Sequence, residues 1–146
     1  MTSSVQNHVD EVPAKATWER LGADAKAVLI DVRTRAEWAF VGLPDLSSVS
    51  RKPVLVEWLT FPDNRANPDF VAQLSEALAR LGADKDTELY FLCRSGGRSL
   101  QAAKAMAMAG FQRCHNVTEG FEGPLDPHRH RSQIGWKAEG LPWAQG

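Results

Sequence analysis

Leu89-Tyr-Phe-Leu-Cys93-Arg94-Ser95-Gly96-Gly97-Arg98-Ser99-Leu100 joins an apolar run to an alanine-rich segment through a short polar loop. The apolar part, from Thr87 to Leu92, suits a buried strand. The alanine-rich part, Ser99 to Ala109, suits a helix, with Gly110 as its stop. A strand that feeds a helix across a tight loop is half of a βαβ unit. Working outward, Ala27-Val-Leu-Ile-Asp-Val32 reads as a second buried strand, because three of its six residues are β-branched. Thr34-Arg-Ala-Glu37 has the form of a capping box and predicts a short helix start. Pro53 to Trp58 is a further strand. Asn67-Pro68-Asp69 places an N-cap, a first-turn proline and an acid ahead of Phe70, Val71, Leu74, Leu78 and Leu81, an amphipathic helix stopped by Gly82.

Pro13 to Leu21 predicts a helix with Gly22 as its stop, and Gln112 to Val117 a last strand. Residues 1–12 are polar and aperiodic, so they are expected to be loose. From Thr118 onward the composition predicts irregular structure with room for one short helix. Alternating strands and helices imply an α/β fold with a mostly parallel central sheet and helices on both faces. Arg-Leu-Gly-Ala-Asp occurs at 20–24 and again at 80–84. The flanks share nothing, so shared helix-stop chemistry explains the pair better than duplication.

The chain has 146 residues, 43% hydrophobic and 24% charged, which fits one globular domain. Seventeen Lys and Arg against eighteen Asp and Glu leave no basic excess for nucleic-acid binding. No apolar run reaches the roughly 20 residues of a membrane span. The first eight residues lack a signal peptide's charged and apolar regions, so a cytoplasmic protein is expected. Two cysteines make neither a disulfide framework nor a zinc signature. The four histidines have no ligand spacing, so a metal site is not expected, and no organic cofactor is implied.

The chemistry is concentrated at Cys93. It stands at the carboxyl end of a strand, where open α/β sheets form their sites. The loop after it turns backbone N–H groups inward, and the helix start adds about half a positive charge. Gly96 and Gly97 permit left-handed or close-approach backbone there. Arg94 and Arg98 add two permanent charges. Such a setting is expected to bring a thiol below its ordinary pKa of about 8.5 and to bind an anion. Cys93 is therefore the candidate nucleophile, with Arg94, Ser95, Gly96, Gly97, Arg98 and Ser99 as candidate substrate-binding residues.

Cys93 to Ser99 resembles the active-site loop of the rhodanese sulfurtransferases. Ile30-Asp31-Val32-Arg33 followed by Glu37 is similar to that family's Asp-Val-Arg signature, and Gly42-x-Pro44, Gly110-Phe111, Asn116-Val117, Gly120 and Gly140-Leu-Pro-Trp143 follow in its order. The resemblance covers about residues 12 to 143, and implies one rhodanese-like domain over 12–146 after a flexible 1–11. Two departures stand out. The insert from Leu46 to Pro68, with Trp58, Phe61 and Pro62, is a candidate for shaping the site mouth. The tail His128-Arg-His-Arg131 is a solvated basic turn or a lure for anions.

The resemblance implies a single-domain thiosulfate sulfurtransferase working through a Cys93 persulfide, with sulfur passed to cyanide or a thiol. The implied partners are a small anionic sulfur donor and a thiophile, with a protein acceptor left open. A non-catalytic sulfur carrier or regulatory binding module stays as an alternative. An arsenate reductase or phosphatase fits less well. In cysteine phosphatases five residues separate the cysteine from the phosphate-binding arginine, whereas Arg98 is itself the fifth residue after Cys93. Asp31 is a candidate supporting residue that could orient a loop arginine or amide, or serve a purely structural role. Arg33 and Glu37 are expected to form a structural ion pair, and Cys114 to lie buried in the last strand.

Overall fold

The computed structural model describes residues 8–60, 62–131 and 134–145. In chain order these form β1 (Val9–Val12), α1 (Ala14–Ala23), β2 (Val28–Asp31), α2 (Arg35–Phe40), β3 (Leu43–Pro44), a 3-10 turn (Ser47–Val49), β4 (Val54–Leu55), β5 (Leu59–Thr60), β6 (Arg65–Ala66), α3 (Phe70–Arg80), β7 (Leu89–Leu92), α4 (Gly97–Met108), β8 (Cys114–Val117) and β9 (Trp143–Ala144). The main sheet runs β1-β8-β7-β2-β4, every pair parallel. Ile30 lies opposite Phe91, and Phe91 opposite Asn116, so the two strongest apolar runs sit side by side in the middle.

Burial on both faces explains why β2 and β7 read as continuous apolar runs instead of alternating ones. On one face Leu89, Phe91 and Cys93 pack with Phe70, Leu74 and Leu78 of α3 and Met106 of α4. On the other, Leu29, Tyr90 and Leu92 pack with Leu21 of α1, Phe121 and Trp136. Side chains alternate across a strand, so adding Cys93 to the end of β7 places its sulfur on the α3/α4 face. Each fully buried Leu or Phe stabilises by roughly 1.5–3 kcal/mol. The fold is therefore the expected α/β sandwich, with its helices split between the two faces.

Several local expectations need correction. Residues 9–12 form the edge strand β1 on β8 and are not loose; the sheet supplies backbone partners that local propensity does not reveal. Residues 1–7 lie outside the described residues. Gly22 stays helical inside α1, whereas Gly82 takes a φ of 77° just past α3. α4 starts two residues earlier than expected, at Gly97. The 46–68 insert turns inward: Trp58 packs edge-on against Phe70 with ring centroids 5.0 Å apart. Phe61 lies outside the described residues. Beyond Thr118 no helix forms among the described residues, and β9 pairs antiparallel with β3. Among the described residues no helix is long and apolar enough to cross a membrane.

Candidate active site

Cys93 Sγ accepts hydrogen bonds from the backbone N–H of Gly96 at 3.1 Å and lies 3.2 Å from Ser99 Oγ. Both partners follow from local sequence. Gly96 is the N-cap of α4 with a φ of 104°, a conformation that turns its N–H back toward the sulfur. Ser99 sits in the first turn, where its side chain reaches the strand end. The amides of Gly97, Arg98 and Ser99 are first-turn N–H groups, which helix geometry leaves without an intrahelical acceptor. Cys93 as a whole is 1% exposed, beneath a loop whose Ser95 and Gly97 face solvent.

The two loop glycines differ in what they do. A Cβ at Gly96 would stand 2.2 Å from the carbonyl oxygen of Thr118. At Gly97 it would meet nothing within 4 Å, and φ there is not left-handed. Only Gly96 is therefore demanded by backbone conformation. The segment after β8 clamps the loop from outside. Phe121 N–H donates to Cys93 O at 2.8 Å, and the N–H groups of Glu122 and Gly123 donate to Arg94 O at 3.0 and 3.1 Å. Gly120 permits this approach, since a Cβ there would lie 2.6 Å from the carbonyl oxygens of Cys93 and Arg94.

Asn116 joins the site, a role its place in the sequence does not reveal. Its Nδ2 donates to Gly96 O and to Glu11 Oε1, both at 3.0 Å, and its Oδ1 lies 2.5 Å from Ser99 Oγ. It thus holds both groups that touch Cys93 Sγ. The signal is its position in the sheet: a buried carboxamide within β8, next to the sheet centre and directly opposite Phe91 of β7.

The charged residues pair differently from expectation. Arg33 does not meet Glu37. It lies fully buried on Asp31, with Nε and Nη2 on the carboxylate at 2.6–3.1 Å, and Nη2 reaches Gly42 O at 2.7 Å. Asp31 therefore orients Arg33 and the 42 turn, and its carboxylate bonds Arg33 instead of a loop arginine or amide. Glu37 takes Arg98 instead, through two parallel bonds of 2.7 and 2.9 Å. It also closes the Thr34 capping box that starts α2. Burial alone would raise the Glu37 carboxyl. Arg98's hydrogen bond, Thr34's N–H, the Arg98 charge and the Thr34 hydroxyl outweigh it, and hold the pKa at about 2. Arg94 Nε lies 3.7 Å from Glu37 and 3.9 Å from Glu122.

Cys114 is buried in β8 and burial pushes its thiol up to about 12. From the tail, Arg131 donates to Gly123 O at 3.0 Å, so it braces the clamp segment. A cleft of about 1590 Å³ runs past Val28, Leu29 and Glu88 at the amino ends of β2 and β7, away from Cys93. None of its lining residues belongs to the Cys93–Ser99 loop.

Residues 9–146 match the model of the STR4 middle domain. The crystal structure of Rv0390 from M. tuberculosis superposes with a TM-score of 0.85 at 45% identity, covering 95% of this chain and 99% of that one. An uncharacterized protein of Rickettsia prowazekii is 34% identical over 92% of this chain and 97% of its own length. The chloroplastic rhodanese-like domain-containing protein 4 of Arabidopsis thaliana is 30% identical over 90% of this chain, a stretch that makes up 25% of the plant protein. A protein of Allochromatium vinosum named sulfurtransferase is 25% identical over 92% of this chain and 94% of its own.

Proposed function

This chain belongs to the STR4 middle-domain family and is rhodanese-like in fold, and from that premise we propose that it moves a sulfane sulfur through a persulfide on Cys93. The Cys93 thiolate attacks the outer sulfur of thiosulfate or a related donor. The donor's S–S bond breaks, and sulfite or the donor's thiol leaves with the electron pair. A thiophile, either cyanide or a small thiol or a protein thiol, then attacks the outer sulfur of the persulfide and releases the Cys93 thiolate.

One observation carries this reading: Cys93 Sγ is held between the Gly96 N–H and the Ser99 hydroxyl in front of the first turn of α4. The Gly96 N–H is fixed before any substrate arrives and the Ser99 hydroxyl needs only a rotation about its C–O bond, so stabilising charge on sulfur requires little reorganisation. The first-turn amides of Gly97 and Arg98, which have no intrahelical acceptor, would serve a leaving anion or the outer persulfide sulfur. Arg98, locked on Glu37, positions the loop. Arg94 stands at its rim.

The test is steady-state kinetics with varied donor and cyanide, following thiocyanate. Covalent transfer gives parallel double-reciprocal lines, and Cys93→Ser abolishes turnover. Intersecting lines, or residual turnover in Cys93→Ser above a tenth of wild type, would refute the mechanism.

A further inference from the structure

The charges that touch the active-site loop sum to zero. Arg98 has both ends of its guanidinium fork on the two oxygens of Glu37. Arg94 lies between Glu37 and Glu122. Behind them Asp31 and Arg33 form a closed, fully buried pair. Two loop cations thus meet two carboxylates, and what is left over is the roughly half charge of the α4 amino terminus. Glu122 is not at that place by accident of a mobile side chain. Its backbone N–H donates to Arg94 O at 3.0 Å, and its side chain is 18% exposed, so the clamp that shapes the loop also presents the carboxylate to Arg94.

Resting on the Cys93 sulfur-transfer reading, we propose that Glu122 is a specificity-determining residue and that the loop favours a sulfane donor of low charge over the thiosulfate dianion. The donor class is a hydropersulfide, R–S–SH, of a neutral or zwitterionic thiol. At the decisive step the two donors differ in leaving group and, more consequentially for a site of this charge, in the charge they bring. With thiosulfate, a thiolate and a dianion bring three negative charges together. The new bond is Cys93 S–S, the donor's S–S bond breaks, and sulfite departs with the pair, still leaving three. With R–S–SH the same bonds form and break, R–S⁻ departs with the pair, and the S–H stays on Cys93. A single negative charge is present throughout. A mouth with no net cation accommodates the second case, whereas the first requires an uncancelled arginine.

Removing the Glu122 charge leaves Arg94 only Glu37, which Arg98 already engages with both oxygens, so the mouth gains one net positive charge and the preference should shift. The experiment measures the rate of Cys93 persulfide formation by mass spectrometry, with thiosulfate and with cysteine persulfide, in wild type and Glu122→Gln at two salt concentrations. Wild type is expected to use cysteine persulfide at least tenfold better, with thiosulfate loading nearly independent of salt. Glu122→Gln is expected to improve thiosulfate loading roughly two- to fivefold relative to cysteine persulfide, the scale of a partly exposed ion pair, and to make that gain fade as salt rises. Wild-type salt dependence needs no variant, so it decides the matter even if Glu122→Gln unfolds. An unchanged donor ratio in a folded variant, or a wild-type thiosulfate rate that falls steeply with salt, overturns the role of Glu122 while leaving the Cys93 persulfide intact. Failure of both donors to load Cys93 in either protein overturns the sulfur-transfer reading itself.

Discussion

Ser99 Oγ lies 2.5 Å from Asn116 Oδ1 and 3.2 Å from Cys93 Sγ, although it carries a single proton. Glu11 and the Gly96 carbonyl can only accept, so the Asn116 NH2 faces them and its oxygen faces Ser99. With a neutral Cys93 thiol, the Ser99 proton points to Asn116. When the sulfur is ionised, that hydroxyl can rotate and donate to it. Asn116 is a positioning residue: it acts on the sulfur through Ser99 and through Gly96.

Asn116→Ala should therefore lose both stability and speed. Ser99 and Gly96 O each lose a buried partner, a cost of about 1–3 kcal/mol. Persulfide formation at saturating donor should slow several-fold, with a smaller change in KM, because the binding amides of α4 stay in place. Urea unfolding and single-turnover mass spectrometry read the two effects. A variant with wild-type stability and rate would show that the network is ornamental.

The three glycines near the loop should separate cleanly. Gly97→Ala meets open space and is expected to fold and load sulfur like wild type. Gly96→Ala and Gly120→Ala would press a Cβ onto backbone at 2.2 and 2.6 Å, in left-handed conformations. Each should cost more than ~1 kcal/mol and sharply reduce Cys93 loading. If Gly120→Ala is silent, the clamp from residues 120–123 does not hold the loop.

Most of this fold could be read from apolar runs and caps. The Thr34–Glu37 box, the Phe70–Leu78 stripe and the doubly buried β7 are local patterns, and local patterns are what sequence displays. The pentapeptide at 20–24 and 80–84 marks the limit. The same five residues keep Gly22 helical and turn Gly82 left-handed, because tertiary packing and not the peptide decides where each helix stops. β1 was hidden for a related reason: its partners lie about a hundred residues away in β8. At the site, Cys93 and its loop announce themselves through arginine and glycine spacing. Which carboxylate faces which arginine does not, since Glu37 meets Arg98 across 61 positions. Asn116 and Gly120 stand in the sequence as landmarks of the resemblance, but the contacts through which they act, to Gly96, Ser99 and the Cys93 and Arg94 carbonyls, do not show there.

Glu37 should give the protein an acid-sensitive stability. Its carboxyl has a pKa held at about 2 in the fold, against 4.5 ordinarily. A lowered folded-state value means the stabilisation is fully present above about pH 4.5, and is lost as the pH falls toward 2. The full contribution is on the order of 3 kcal/mol. Glu37→Gln should be less stable at pH 7, and its stability should fall less steeply than wild type's between pH 4.5 and 3. Denaturant melts at several pH values test this. Parallel pH curves for the two proteins would disprove the role given to Glu37.

Cys114 should be inert. With its thiol pushed up to about 12 by burial, it is not ionised at neutral pH. Iodoacetamide at pH 8 should leave Cys114 unlabelled in the folded protein, as shown by peptide mapping. Cys114→Ala should retain most persulfide formation. Loss comparable to that of Cys93→Ser would instead indicate a two-cysteine relay.

The mass of the intact protein after exposure to millimolar thiosulfate tests the central claim most directly. Wild type should gain one sulfur, about 32 Da, located on Cys93 and removed by cyanide, while Cys93→Ser gains nothing. A Cys93 that stays unmodified, with p-nitrophenyl phosphate hydrolysed in its place, would contradict the account.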